Sequence, residues 1–384
     1  ILFSDIRDFT TLCEEMTPAE TFRFINSFLA ALEPAVEEHG GWVDKYIGDA
    51  VMALFPGSAD DAVAAALGML EALERFNRSR GREERPRIRI GVGLNTGLVM
   101  LGIVGGGTRL EGTVVSDAVN LASRLEGLTR TYGVPLLAGE QTLYALTDAV
   151  RHPARYLDRI RVKGKRQPQS IHELYGADPP ALRAAKERTT SQFEQAVAWY
   201  HLKEIARAEP LLEACLAAAP EDAPARLYLD RCRAFRLEGR HEGTGELEGA
   251  LEWRHEFELG IGIVDAQHRE LLRHMNAVAA RLRAGGAGAP AELLDFVGRY
   301  AAENFSTEER LMAEHGYPFA AHHRVEHWNF LAFYARLRQE ILSRELEQLV
   351  LVFRAQVFLL DWFATHFTHT DRHLARWLRA RGVR

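Results

Sequence analysis

The stretch Gly40–Phe55, GGWVDKYIGDAVMALF, constrains this chain more than any other. Trp42, Val43, Tyr46 and Ile47 supply one short strand, and Val51, Met52, Ala53, Leu54 and Phe55 a second, buried one. Gly48 allows a tight turn and leaves Asp49 at its tip, between two apolar runs. An acid held there must be paired, hydrogen-bonded or metal-bound to offset its desolvation. A lone Gly-Asp is read most simply as a turn that caps itself.

Asp49 is not alone. Ile1-Leu2-Phe3 is an apolar run that leads into Ser4-Asp5-Ile6. A strand carrying Asp5 beside the Asp49 hairpin brings both carboxylates to one sheet edge. Two such groups repel unless a cation joins them, and Mg²⁺ is commonly held by one or two carboxylates plus substrate phosphates.

FSDIRDFT at Phe3–Thr10, DKYIGDAVMALF at Asp44–Phe55, TVVSDAVNLASRLEG at Thr113–Gly127 and RVKGK at Arg161–Lys165 occur in this order. Together they resemble class III nucleotide cyclase catalytic domains over residues 1–175. The resemblance implies a ferredoxin-like α+β fold and head-to-tail pairing of two chains, with active sites at their interface. It implies that Asp5 and Asp49 hold two Mg²⁺ or Mn²⁺ ions. Asn120 and Arg124, four apart on one helix face, match the transition-state pair, contributed by the partner chain. Lys163 matches the triphosphate-binding lysine. Lys45 and Thr113 match the base-reading positions, and a Lys there donates to adenine N1, which favours ATP over GTP. Ser116 stands where many relatives have Gly. Alone, Arg124 reads as a surface ion pair, Lys45 as a solvated strand residue and Asn120 as a helix hydrogen bond; here all seven positions are filled.

Around these blocks the pattern predicts a helix from Thr17-Pro18, with Phe22, Ile25, Phe28, Leu29 and Leu32 facing the sheet. It predicts a helix over 60–78, a strand over 87–95 and a strand over 98–104 pairing back on it. A helix over 116–128 and strands near 134–137, 156–162 and 170–174 complete the mixed-sheet domain. Gly105, Gly106 and Gly107 read as a mobile loop, but no GxxxxGK makes it a P-loop. The Arg-rich 78–89 reads as a solvated loop.

Asp178-Pro179-Pro180 marks a boundary. Residues 176–250 read as a helical connector: Ala196, Tyr200, Ala208, Leu212 and Leu216 space out a helical hairpin, and another helix covers 223–235. The hairpin resembles one tetratricopeptide-type repeat, which cannot bury its own face and must pack on a neighbour. The Gly/Glu-rich 238–249 reads as a linker.

Residues 251–384 are histidine-rich. His323 and His327 are spaced to share one metal from a helix face, and a four-helix bundle can aim such groups inward. Trp253, GIVDAQHREL, NFSTEERLM, GYPFAAHHRVEH and WFATHFTHTD resemble the hemerythrin family across this segment. The resemblance implies non-haem diiron, with His268, His323, His327 and His366 as terminal ligands and Glu308 and Asp371 bridging. It also implies O₂ or another small redox ligand as partner. Asn304 departs from the pattern, standing where the family has His, so the iron position served by His268 lacks one imidazole and is left to bind more weakly, to take water there or to stand vacant. Glu303 points elsewhere, and His315, His322 and His369 read as surface residues.

Composition adds bounds. At 384 residues, 47% hydrophobic and 26% charged, the chain has core material for two or three domains. A net charge of −6 gives no pull toward nucleic acid. Cys13, Cys215 and Cys232 are scattered, as in a reducing cytoplasm. No apolar run has the length of a membrane span. The chain starts without Met and directly on a strand, so it reads as a fragment with room upstream for a membrane or sensor segment. The expected whole is multidomain: an adenylate cyclase tuned by an iron-containing bundle. The other reading is an O₂- or iron-binding protein whose cyclase is inactive or constitutive.

Overall fold

The computed structural model describes residues 1–14, 16–80, 87–106, 109–148, 151–161, 168–239, 253, 255–283, 289–343, 359, 362 and 366–383. The chain forms two compact units, Ile1–Gly245 and Glu246–Arg384. Lys163, the 81–86 part of the Arg-rich loop and the 240–249 part of the Gly/Glu-rich segment lie outside the described residues.

The first unit is built on β1 (Leu2–Ile6), β2 (Trp42–Ile47), β3 (Ala50–Leu54), β4 (Ile90–Leu94), β7 (Leu136–Gly139), β8 (Ala154–Arg161) and β9 (Pro168–Leu174). These form one mixed sheet in the order β2-β3-β1-β4-β7-β9-β8. β1 lies antiparallel to β3 and β4, with Leu2 opposite Ala53 and Asp5 opposite Gly91. The first strand thus lies beside the Asp49 hairpin, as expected.

Alternation along the strands supplies two faces. Leu2, Ile6, Val92 and Leu94 join Phe28, Leu32, Val36 and Met69 from α2 (Pro18–Glu37) and α3 (Ala59–Ser79). Phe3, Met52 and Leu54 join Ala122 of α4 (Asp117–Tyr132) on the other face. β4 shows why its sequence is IGVGL. Ile90, Val92 and Leu94 are buried, while a Cβ on Gly93 would lie 2.3 Å from the Ala122 carbonyl oxygen. Glycine lets α4 lie directly on the strand.

Helix starts follow the sequence closely. Thr17 and Glu20 form a capping box at α2, as do Ser58 and Asp61 at α3, and Ser116 caps α4 by accepting from the Ala118 N–H. Two expectations are corrected. Phe22 is 70% exposed, while Phe24 stacks on Phe28 at 6.1 Å and meets Phe76 of α3. The buried stripe is Phe28, Leu32, Ala35 and Val36, and Phe22, six residues before Phe28, falls about 120° off it. The second correction concerns β5 (Met100–Gly106). It does not pair back on β4 but forms a separate two-stranded sheet with β6 (Arg109–Val115), Met100 opposite Val115. Residues 109–115, unassigned in the sequence reading, supply the closer antiparallel partner.

Short helices α1 (Phe9–Glu14) and α5 (Glu140–Tyr144) link these parts. The connector helices α6 (Pro180–His201), α7 (Ile205–Ala218) and α8 (Ala223–Glu238) belong to the same unit. Their neighbour is the β8–β9 hairpin. Arg155 of β8 donates to Glu173 of β9 at 2.6 Å and to both oxygens of Asp222, at 2.6 and 2.8 Å. Lys186 of α6 donates to Glu173 at 2.6 Å. Asp158 accepts from Tyr132 at 2.6 Å and Arg231 at 2.8 Å, with His201 at 3.1 Å. Burial opposes the charge on Asp158, but His201 and then Arg231 hold it well below the usual carboxylate range.

The second unit contains α9 (Gly262–Arg283), α10 (Ala289–Glu314), α11 (Ala320–Ser343), a π-helical turn at His366–Asp371 and α12 (Arg372–Arg379). Neighbouring helices pack in sequence, α9 on α10 and α10 on α11. Leu259, Val264, Leu311, Met312, Tyr317, Leu374 and Leu378 form an apolar cluster at one end.

Candidate active site and metal centre

In the first unit the turn after β2 places Asp49 against the end of β1. The Ile6 N–H donates to Asp49 Oδ2 at 3.3 Å. The Asp49 carboxyl is pushed up to about 7, first by burial and then by the hydrogen bond and charge of Asp5 beside it. Gly48 makes the turn at φ +69°. Two adjacent carboxylates at a half-exposed sheet edge are a donor set suited to a hard divalent cation.

The other residues expected of this site are spread along the fold. Lys45 lies on the edge strand β2, with its ammonium 3.3 Å from Asp44. Thr113 pairs with Gly102 in the β5–β6 ladder; its side chain lies outside the described residues. On α4, Leu121, Ala122, Leu125 and Thr129 are buried, Asn120 is exposed and Arg124 is half-buried.

In the second unit the expected ligands converge. His268, Glu308, His323, His327, His366 and Asp371 are all buried, none more than 2% exposed. They come from α9, α10, α11 and the π-helical turn. Glu308 Oε2 faces His323, His327 and His366 at 3.1, 3.0 and 3.8 Å, while Oε1 faces His268 at 3.9 Å. Asp371 divides in the same way: Oδ1 lies 3.3 Å from His323 and 3.0 Å from His366, and Oδ2 lies 3.6 Å from His268. Each carboxylate therefore spans a three-histidine side and a one-histidine side. Glu308, His323, His327 and His366 present ligand atoms within 4.8 Å of one another, as do His268, Glu308 and Asp371.

The π-helical turn makes this possible. Five residues along an α-helix leave side chains about 140° apart. The wider turn, with its i→i+5 hydrogen bonds, brings His366 and Asp371 to the same side.

The chemistry of the cluster fits a metal. His268 Nε2, Glu308 Oε1, His366 Nε2 and both Asp371 oxygens are buried without a well-formed hydrogen bond. Burial opposes ionisation of Glu308, but hydrogen bonds from His323, His327 and His366 hold it well below its usual range. Burial alone would lower His323; bonding to Asp371 and Glu308 pushes it up to about 9. His268, with burial foremost, is lowered.

Around the ligands lies a layer that sequence reasoning missed. His366 Nδ1 meets Glu326 at 2.7 Å, and His327 Nδ1 meets Glu309 at 3.0 Å. Such carboxylates hold the Nδ1 proton and leave Nε2 free as a ligand. Phe367 stacks on His268 at 3.4 Å, Phe305 on His327 at 3.9 Å and Trp362 on His366 at 4.3 Å. Glu326 sits within HHRVEH, one helical turn from His323 and next to His327, and that spacing was the available signal.

Asn304 is fully buried on the one-histidine side. Its amide donates to Gln267 at 3.2 Å, and its own Oδ1 lacks a partner. Glu303 is exposed, as expected. Of the presumed surface histidines only His369 is exposed; His315 and His322 are half-buried, and His322 pairs with Glu326 at 3.4 Å.

Comparison with known proteins agrees with this division. Residues 1–175 match the adenylate and guanylate cyclase catalytic domain, and residues 259–378 the hemerythrin HHE cation-binding domain. An adenylate cyclase of Anabaena cylindrica is 46% identical over 180 residues, covering 45% of this chain and 36% of the relative. The terminal-differentiation-specific adenylate cyclase of Dictyostelium discoideum is 35% identical over 238 residues, covering 60% of this chain and 11% of the relative. The chain thus spans about a third or less of the length of these curated relatives. The crystal structure of the adenylyl cyclase CyaB from P. aeruginosa is 30% identical, covering 45% of this chain and 91% of that one, with a TM-score of 0.39. No helix among the described residues is long and apolar enough to cross a membrane. The chain combines a class III adenylate/guanylate cyclase catalytic domain with a C-terminal hemerythrin domain.

Proposed function

We propose that this protein is an adenylate cyclase that converts ATP to 3′,5′-cyclic AMP and pyrophosphate, with output tuned by its hemerythrin domain. The observation that carries the first part is the meeting of Asp5 and Asp49 at one sheet edge. Divalent cations bound there supply acidification of the ribose 3′-hydroxyl and neutralisation of the leaving pyrophosphate. The 3′-oxygen forms a bond to the α-phosphorus as the α-phosphorus–oxygen bond to the β-phosphate breaks. Lys45 donates to adenine N1, with Thr113 as the second base contact. Asn120 orients the ribose, Arg124 places a forked cation against the charge growing at the α-phosphate, and Lys163 binds the triphosphate.

Asn120 and Arg124 act on the Asp5–Asp49 pair of a second copy. This reading is supported by apolar side chains left open on the β2 edge and on β5. Tyr46, Ile47, Met100, Leu101 and Ile103 are all exposed. In the hemerythrin domain His268, His323, His327 and His366, with Glu308 and Asp371, would hold iron, which would supply reversible redox and O₂ chemistry. A change in that ligation biases the cyclase.

The test is product analysis with ATP and with GTP in the presence of Mg²⁺ or Mn²⁺. Cyclic AMP from ATP, weakened in Lys45→Glu, is expected. A preference for GTP, or Lys45→Glu without effect, contradicts the base assignment. The rate is then compared for iron-loaded reduced protein without O₂ and after its admission. A rate that changes, and no longer changes in His323→Ala, is expected of an O₂-responsive cyclase. The buried ligand set also favours the second reading: no cyclic AMP in either state, with iron bound, makes the bundle the working part.

A further inference from the structure

We propose that the ion pair between Arg7 and Glu126 is a positioning link. It ties the metal-holding carboxylates of one active site to the helix that completes the other. The inference rests on the reading above, in which one chain lends Asp5 and Asp49 to one site and Asn120 and Arg124 to the second.

Arg7 lies two residues past Asp5 and one past Ile6, whose N–H donates to Asp49. Its backbone N–H is held by the Arg89 carbonyl at 2.8 Å. Its guanidinium grips one turn of α4 at two points, Nη1 donating to Glu126 Oε1 at 3.0 Å and Nη2 to the Glu126 carbonyl at 3.1 Å. Glu126 is two residues beyond Arg124. Arg7 and Glu126 are only 13% and 12% exposed, so the pair is screened far less than a surface one. Asp8 adds an exposed contact from the same loop, 3.2 Å from Arg130 of α4.

The strand beneath is shaped for this passage. Gly91 lies opposite Asp5 in the ladder, and a Cβ there would sit 1.8 Å from Arg7 Nη2 and 2.3 Å from Thr129 Oγ1. The alternation that puts Ile90 and Val92 in the core leaves Gly91 and Gly93 beneath Arg7 and α4. A shift of α4 moves Arg124 and, through Arg7, the end of β1 that carries Asp5. The two sites of a dimer thereby sense one another through each chain.

The test uses a heterodimer purified on two tags. One protomer carries Arg124→Ala and the other Asp49→Asn, so a single site works. It takes its carboxylates from the first protomer and its Asn120 and Arg124 from the second. Arg7→Gln in the first protomer should raise the Mn²⁺ concentration for half-maximal rate, on the order of tenfold. In the second protomer it should lower kcat by a similar factor and leave the Mn²⁺ requirement unchanged. Gly91→Ala, with the ion pair's residues intact, should reproduce this split, and the Arg7→Glu/Glu126→Arg exchange within one protomer should restore part of the loss. Unchanged constants in both placements overturn the proposal. So does a uniform loss that tracks the fraction of folded dimer. A parent heterodimer with no activity overturns the two-chain reading, and the proposal with it.

Discussion

Asp5 and Asp49 lie half-buried at a sheet edge, 44 residues apart in the chain, and in the proposed reading Asn120 and Arg124 reach them from a second copy. Glu308 and Asp371 are fully buried, and every expected ligand around them belongs to the same bundle. The first site is open, as the proposed entry of a nucleotide and completion by a second copy require. The second is closed, its imidazoles and carboxylates buried together within one unit. One unit should therefore depend on dimerisation for its chemistry, and the other should not.

The sharpest way to break this comparison is Asp49→Asn. Losing one of two metal-holding carboxylates should cost cyclase activity about a thousandfold, ~4 kcal/mol of transition-state stabilisation. Iron content of the second unit, measured by elemental analysis, should not change.

Arg155→Ala tests whether the connector helices are part of the first unit. It leaves Asp222 buried without its cation and Glu173 with Lys186 alone, at a cost of ~3–5 kcal/mol. Denaturant unfolding should show the loss in one transition, with the iron-dependent spectrum of the second unit retained. A separate early transition of helices 180–238 alone would contradict the packing described.

Glu326→Gln sharpens the other side. It removes the carboxylate that accepts from His366 Nδ1 and should weaken iron binding roughly 10–100-fold. Competition with a chelator measures the change, and cyclase activity without iron should stay as in the parent.

The smallest effect expected is in acid. The folded-state pKa of Asp158 is lowered, so its contribution to stability is present above the ordinary carboxylate value near 4. It is lost as pH falls below that value toward the lower folded one. Thermal unfolding of the first unit should thus fall off below about pH 4 in the parent and less steeply in Asp158→Asn.

Much of this was legible in the chain. The Gly48-Asp49 turn, the Thr17-Pro18 helix start and the Ile90–Leu94 strand are local signals, and they form the elements they predict. The convergence of His323 and His327 was legible from helical spacing, and that of His268, Glu308, His366 and Asp371 from the hemerythrin resemblance alone. Other features depend on contacts between segments distant in sequence. Nothing near Met100 announces that its partner is Val115 rather than β4, and Phe22 looks as apolar as the residues that are buried. The Arg155–Asp222 pair joins residues 67 apart. Arg7 and Glu126, 119 apart, meet only once Gly91 has made the space.

The most direct test of the account mixes two inactive variants. Asp49→Asn and Arg124→Ala, each silent alone, are co-expressed and assayed for cyclic AMP from ATP. Activity that appears only in the mixture is the predicted result, since one intact site then forms between unlike chains. Folded heterodimers that make no cyclic AMP would contradict a catalytic site shared by two chains.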